Sequence, residues 1–409
     1  MVECASLACA MHALNQQSLG ALVHLNSTTF RWRIAEKHQP NKWLVGISIT
    51  CPDDNSEPMN KPNPSPSEPR CVEILSTDRS HPVRERIRVS ATARAPLGPM
   101  DVRIGMLAMS VLPADLLQMN GQYGYQPPVP YIPGHEGVAV VLETGTGVSD
   151  LGIGDRVIPL GVFGLWADER VVRRQALAVV PAHGDALQQA MLSANPATAW
   201  VMLQHLVAVQ PGEWVIQNAA NSAVGQCVRQ LAKHLGIALI NVVRRDDAIP
   251  HRNRDDTTEY WIADGGVAPS TLQHKVRAIA KEAPVVLGLD AIGGSASSAM
   301  ASALSPGGLL SVYGMLSGEP CQVATEDLLF RRIAVRGFWL AQWFSDPANR
   351  TAAKAVFPSL MALNAIGLFK MNVEAVYDLD DVCDAVAHAG REQRGGKVLL
   401  SGKHFKPDN

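Results

Sequence analysis

Residues 213–247, "EWVIQNAANSAVGQCVRQLAKHLGIALINVVRRDD", read in order as a buried strand, a tight turn, an amphipathic helix and a second buried strand. Further apolar runs follow at 284–290 ("PVVLGLD"), 308–314 ("GLLSVYG") and 333–338 ("IAVRGF"), with helical stretches between the first two. Strands that are apolar throughout, separated by helices, predict a parallel sheet covered on both faces. The expectation is an α/β, doubly wound nucleotide-binding domain over roughly 196–338.

The turn after the first strand, "NAANSAVGQ", keeps only Gly225 of the usual G-x-G-x-x-G spacing. Small residues still allow a pyrophosphate to approach the backbone, and Asn221 and Ser222 can offer it hydrogen bonds. At the end of the second strand, where an NAD site places an acid, the chain has Arg244 and Arg245. A guanidinium grips a 2′-phosphate that an acid would repel, so the pair points to NADP. The competing reading is two surface arginines pairing with Asp246 and Asp247.

Outward from this core, residues 71–195 are rich in short strands punctuated by Gly and Pro, including "VRIGMLAM" and "GVAVVLETG". They predict a compact β-rich domain, to which residues 339–409 would return through a helix and the strand "KVLLSG". Residues 51–70 hold six prolines and read as a linker. Residues 1–35 carry a single acid, Glu3, which fits an organelle transit peptide or a disordered extension. A net charge of −2 gives no footprint for nucleic acid or an anionic membrane, and no apolar run is long enough to span a bilayer. The seven cysteines are scattered without a C-x-x-C, as in a reducing compartment.

The stretch 120–138, "NGQYGYQPPVPYIPGHEGV", offers two chemistries. His135 could ligate zinc, but a catalytic zinc takes about three protein ligands. The segment some 20 residues earlier, "AMSVLPADLLQ", has no thiol, and no cysteine lies between Cys71 and Cys227. No metal site is therefore expected, and His135 and Glu136 would hold the loop. The alternative is Tyr123, a phenol able to stabilise an oxyanion.

Together with "GDRVIP", "ANPATAWVML", "VIQNAANSAVGQCVRQLAKHLG", "INVVR", "VYGM" and "RGFWLAQW", this stretch resembles the mitochondrial 2-enoyl thioester (trans-2-enoyl-CoA/acyl-carrier-protein) reductases. These are zinc-free members of the medium-chain dehydrogenase/reductase superfamily. The resemblance implies a GroES-like β-rich catalytic domain beside a Rossmann domain, NADPH as hydride donor, and a homodimer joined through the cofactor domains. It divides the chain at 1–70, 71–195, 196–338 and 339–409. Tyr123 then falls on the catalytic tyrosine and Asn195 on an asparagine near the nicotinamide. Asn221, Ser222, Ala223 and Val224 fall on the pyrophosphate turn, and Arg244, Arg245 and Asp246 on the 2′-phosphate end. Tyr313, Gly314, Met315, Leu316, Phe338, Trp339 and Leu340 line the nicotinamide and acyl pocket in the same reading, and Lys397 is a late cofactor contact.

The chain departs from that family at several points. His135 stands in place of an Asn, Leu112-Pro113 in place of Asn-Pro, and "YGML" has one glycine of a usual pair. Arg-Asp-Arg has become Arg244-Arg245-Asp246, and 247–274 lacks the expected helix and strand start. The implied activity is NADPH-dependent reduction of an enoyl-CoA or enoyl-acyl-carrier-protein, the last reductive step of mitochondrial fatty acid synthesis. The alternatives are a zinc-free NADPH quinone reductase and a nucleotide-binding relative without turnover.

Overall fold

The computed structural model describes residues 24–25, 28–29, 68–249, 258–264, 269–391 and 394–405. The chain divides into two units, 1–63 and 64–409. In the first, His24–Leu25 (β1) pairs antiparallel with Thr28–Thr29 (β2). Apart from these four residues, the expected transit peptide lies outside the described residues, as does nearly all of the Pro-rich linker.

The second unit is built on two large sheets. The first runs through Trp214–Gln217 (β10), Ala238–Val243 (β11), Glu259–Ala263 (β12), Val285–Asp290 (β13), Leu309–Val312 (β14) and Ala334–Gly337 (β15). Its order is β12-β11-β10-β13-β14-β15, and every pairing is parallel. The strand order reverses beside β10, which opens the crevice where doubly wound sheets hold nucleotides. Successive side chains feed opposite faces: Val215 and Leu239 pack with Cys227, Val228 and Leu231 of helix Ala223–Leu235. Their neighbours Ile216 and Ile240 pack with Leu272 and Val276 of helix Pro269–Ala280. Burial on both faces explains why these strands read as unbroken apolar runs.

The other sheet has seven strands and mixed directions. Its backbone is Asp101–Ser110 (β5), flanked by Gly137–Thr144 (β6) and by Lys397–Ser401 (β17). Arg156–Pro159 (β7) and Leu177–Val179 (β9) continue from β6, Val373–Asp378 (β16) lies outside β17, and Glu169–Arg173 (β8) also pairs with β5. Arg70–Ile74 (β3) and Ile87–Ala91 (β4) form a small antiparallel ladder. One apolar cluster joins the two large sheets, with Leu107, Val138 and Leu399 of one against Val215 and Leu287 of the other.

The segment 247–274 corrects the expectation. Asp246–Ala248 is a single 3-10 turn, but β12 follows it in register beside β11, and helix Pro269–Ala280 follows that. The strand escapes a hydrophobic pattern because it is a half-buried edge fixed by polar contacts. Glu259 accepts from Arg229 Nε (2.5 Å) and Asn241 Nδ2 (2.9 Å), while the Arg229 guanidinium lies 4.6 Å over the Trp261 ring.

Candidate active site

Helix Pro113–Met119 begins with Pro at N1, where a missing N–H costs nothing. Asp115 Oδ2 accepts the Leu112 N–H at 2.8 Å, and this return bond fixes the carboxylate. Its Oδ1 meets His135 Nδ1 at 2.5 Å, and Asp115 is fully buried. The His135 ring stands edge-on between Phe163 (5.0 Å) and Tyr123 (5.4 Å), with its side chain 10% exposed. Its Nε2 is buried and without a partner among the described residues. Burial works against a charged ring, but the charge and hydrogen bond of Asp115, helped by Glu136, outweigh it and raise the imidazole pKa.

Tyr123 lies on the loop that leaves this helix. Its hydroxyl accepts a hydrogen bond of 2.8 Å from Trp339 Nε1, and the two rings meet edge-to-face at 5.4 Å. A Cβ on Gly124 would stand 3.1 Å from the Trp339 ring, so the neighbouring position has little room for a side chain. Burial raises the phenol pKa, the Trp339 bond lowers it and Asp115 raises it, with a net rise. The phenol is therefore neutral at pH 7, and among the described residues no acceptor takes its hydrogen.

Behind His135, Glu136 is fully buried and accepts the Ala194 N–H at 2.9 Å, just ahead of helix Asn195–His205. Burial pushes its carboxyl up to about 7 against the opposing pull of Lys397. Lys397 is itself buried, which lowers its pKa, while Glu136 and Asp115 favour its charge.

On the nucleotide side, Ser222 Oγ caps helix Ala223–Leu235 by accepting the Gly225 N–H at 3.1 Å. A Cβ on Gly225 would fall 2.7 Å from the carbonyl oxygens of Ala219 and Ala220, so the helix can sit this close to the strand only with glycine there. Asp290, at the end of β13, accepts from Asn218 Nδ2 (2.6 Å), Ser297 Oγ (2.6 Å) and the Ile292 N–H (2.8 Å), fixing the floor of the crevice. Gly314 packs on Ala291, where a Cβ would come within 2.4 Å of the carbonyl oxygen. Among the described residues the buried Asn195 Nδ2 lacks a partner, while the buried Tyr313 hydroxyl faces Ser222. A helix N-terminus, a glycine contact and an orphaned amide make a cradle that fits a dinucleotide.

The structure brings Tyr123, Trp339, His135 and Asp115 together and sets Lys397 against Glu136. Phe338 and Leu340 pack instead on the apolar cluster shared by the sheets, and Met315 and Leu316 are exposed. Arg244, Arg245 and Asp246 are exposed after β11, and Arg245 pairs with Asp247 at 2.8 Å, as the surface reading had it. Asn221 is exposed, and Ala223 and Val224 are half-buried in the first turn of the helix. Asp115 and Phe163 were not anticipated; the signal for Asp115 was its place three residues after Leu112, where a side chain can return to the helix start.

Two family models match in succession: the alcohol dehydrogenase GroES-like domain over 98–182 and the zinc-binding dehydrogenase over 223–356. Among the described residues no group of three or more His, Cys, Asp or Glu could hold a metal ion, whereas a catalytic zinc takes about three protein ligands. The human mitochondrial enoyl-[acyl-carrier-protein] reductase is 37% identical over 249 residues, covering 60% of this chain and 66% of the relative, slightly under two thirds of its length. The Dictyostelium discoideum protein of the same name is 33% identical over 306 residues, 73% of this chain and 86% of the relative. Among solved structures, one described as an NADPH:quinone reductase of Bacillus thuringiensis aligns with TM-score 0.71 at 26% identity, covering 82% of this chain and 99% of its own. The Etr1p complex with NADP and crotonyl-CoA aligns with TM-score 0.68 at 25% identity, covering 81% and 99%. With a parallel nucleotide-binding sheet, a β-rich partner sheet and relatives matched along most of their length, the chain belongs to the mitochondrial enoyl-[acyl-carrier-protein] reductase family, within the medium-chain dehydrogenases/reductases.

Proposed function

We propose that the protein reduces trans-2-enoyl thioesters, on CoA or acyl carrier protein, to saturated acyl thioesters with NADPH, in the mitochondrion. The observation that carries this reading is the Tyr123 phenol, fixed by Trp339, kept neutral by burial and with its own hydrogen uncommitted among the described residues. NADPH, when bound, supplies the hydride. As the double bond is reduced, negative charge gathers on the thioester oxygen, and the Tyr123 O–H stabilises it by donating a hydrogen bond. The same proton can then pass to the α-carbon, leaving a phenolate. Ser222 and the first turn of helix Ala223–Leu235 would hold the pyrophosphate, Arg244 the 2′-phosphate, and Asn195 and Tyr313 the nicotinamide end. Lys397, buried beside Glu136, would contribute positive charge behind that end. The relatives are named for this activity, and Etr1p is solved with NADP and crotonyl-CoA.

The Bacillus thuringiensis neighbour favours a second reading, NADPH:quinone reduction on the same scaffold. Purified protein with NADPH and crotonyl-CoA should lose absorbance at the nicotinamide band, whereas a quinone in place of crotonyl-CoA should leave it nearly constant. Turnover of the quinone alone would reverse the choice. A homodimer joined through the nucleotide-binding sheets accompanies the proposal. It is supported by β15, exposed along its whole length at the sheet edge, and by exposed Leu328, Leu329 and Phe330 just before it. Sedimentation at micromolar concentration should give twice the chain mass, and a monomer would reject the dimer.

A further inference from the structure

Tyr123 lies on a stretch, 122–128, that belongs to no helix or strand, and Gln122, Gly124, Tyr125 and Gln126 around it are exposed. Exposed connections ordinarily move more than the elements they join, whereas a catalytic donor has to be held to about 0.5 Å. Two hydrogen bonds bracket the pair Tyr123-Gly124. Before it, the Gln122 N–H donates to the Leu117 carbonyl at 2.8 Å. After it, the Tyr125 carbonyl accepts from Gln118 Nε2 at 3.1 Å. Both anchors sit on the last turn of helix Pro113–Met119, and Gln118 is 3% exposed although the loop it reaches is open to solvent. Gln118 follows Asp115 by three residues, so the two share a helix face. One bonds His135, whose ring meets Tyr123 edge-on, and the other bonds the loop. The helix end is itself pinned by Arg86, which is buried. Its Nη1 donates to the Met119 carbonyl at 2.9 Å, and Nη1 and Nη2 both reach Asn120 Oδ1 at 3.3 Å. A guanidinium suits the carbonyl end of a helix, where partial negative charge collects.

We infer that Gln118 is a positioning residue for the Tyr123 phenol, an inference that rests on the enoyl-reductase reading. Its amide ties the far side of the loop to the helix that also carries Asp115, and Arg86 keeps that helix end in place. No proton or electron passes through Gln118. It narrows the positions open to the Tyr123 hydroxyl while charge builds on the substrate oxygen, so its effect on rate exists only where the hydroxyl does. A buried amide that served stability alone would lower the melting temperature without any dependence on that hydroxyl.

The test is a double-mutant cycle on kcat with NADPH and crotonyl-CoA, using Gln118→Met, Tyr123→Phe and the two combined. Gln118→Met keeps the length of the side chain and loses the donor. Alone it should lower kcat roughly 10- to 100-fold, the scale of an ångström's misplacement, with KM for NADPH unchanged. In the Tyr123→Phe background, which has no hydroxyl left to misplace, the same change should cost no more than about twofold. Arg86→Lys, acting through the helix end, should show a smaller loss with the same dependence on Tyr123. Should Gln118→Met not fold, Gln118→Asn, whose amide falls one methylene short, takes its place in the cycle. A single-variant kcat within about twofold of native, or losses that multiply in the double variant, overturns the inference and leaves the reductase reading standing. No crotonyl-CoA turnover by the native protein sinks that reading, and the inference with it.

Discussion

Taking one hydroxyl from Tyr123 separates a donor from a pocket wall. Tyr123→Phe is expected to lower kcat by about 10²–10³-fold, the usual loss for one oxyanion donor, with NADPH affinity nearly unchanged. Trp339→Phe keeps an aromatic face but removes the N–H, a neutral hydrogen bond of about 0.5–1.5 kcal/mol, so a loss of roughly 2- to 13-fold is expected. Steady-state kinetics decide both, and a Tyr123→Phe enzyme keeping more than about a third of its rate would reduce the tyrosine to lining. Arg244→Ala should erode the preference for NADPH over NADH by about 10- to 150-fold, read from the ratio of the two Kd values, since a charge-assisted contact is worth about 1.5–3 kcal/mol. Glu136 supplies a stability signature. Its carboxyl titrates at about 7 folded against 4.5 ordinarily, so between those values the folded chain binds more protons than the unfolded one. Stability from this group is complete below 4.5 and is lost as pH rises toward 7. Glu136→Gln should flatten that decline in a melting-temperature series, and equal slopes in the two proteins would exclude it. Tyr123 was legible because its segment is distinctive. Its contact with Trp339, 216 residues away, was not, because no local pattern encodes it.

The helix Ala223–Leu235 concentrates the dinucleotide argument in one element. Ser222→Ala removes its cap and should cost about 0.5–2 kcal/mol, measured by urea unfolding. Gly225→Ala should cost about 1–3 kcal/mol or more, because its methyl meets two fixed carbonyl oxygens rather than a pliable side chain. It should also raise KM for NADPH by pushing the helix away from the turn, and an unchanged KM would show the turn to be no cradle. Strands buried on both faces, β10, β11 and β13, were readable from their apolar runs. The edge strand β12 was not, since an Arg over Trp261 and a carboxylate at Glu259 take the place of core burial. For the arginine pair two readings stood open, and Arg245 turned to Asp247, two residues on, a choice that depends on the backbone turn.

At the scale of the whole molecule, sequence rhythm revealed a parallel sheet and a β-rich partner to which the strand at 397–401 returns, but not the order of the strands within either. The parallel sheet is contiguous: all its strands lie between Trp214 and Gly337. The mixed sheet is not, because β17 inserts between β16 and β5, pairing Leu399 with Ser110 and Leu400 with Met109. During synthesis the parallel sheet can therefore close as soon as residue 337 has emerged. The mixed sheet waits with the Ala108–Ser110 end of β5 lacking its β17 partner until residue 401 exists, although β8 already pairs Asp101–Gly105, and Asp115, His135 and Tyr123 follow that end of the strand. A chain stopped after residue 390 should accordingly yield, on limited proteolysis, a resistant fragment spanning 214–337 and a rapidly cleaved amino-terminal half. The same interleaving makes the neighbourhood of Tyr123 the last part of the protein to form, so under the proposed function a half-made chain would hold nucleotide before it could turn over substrate.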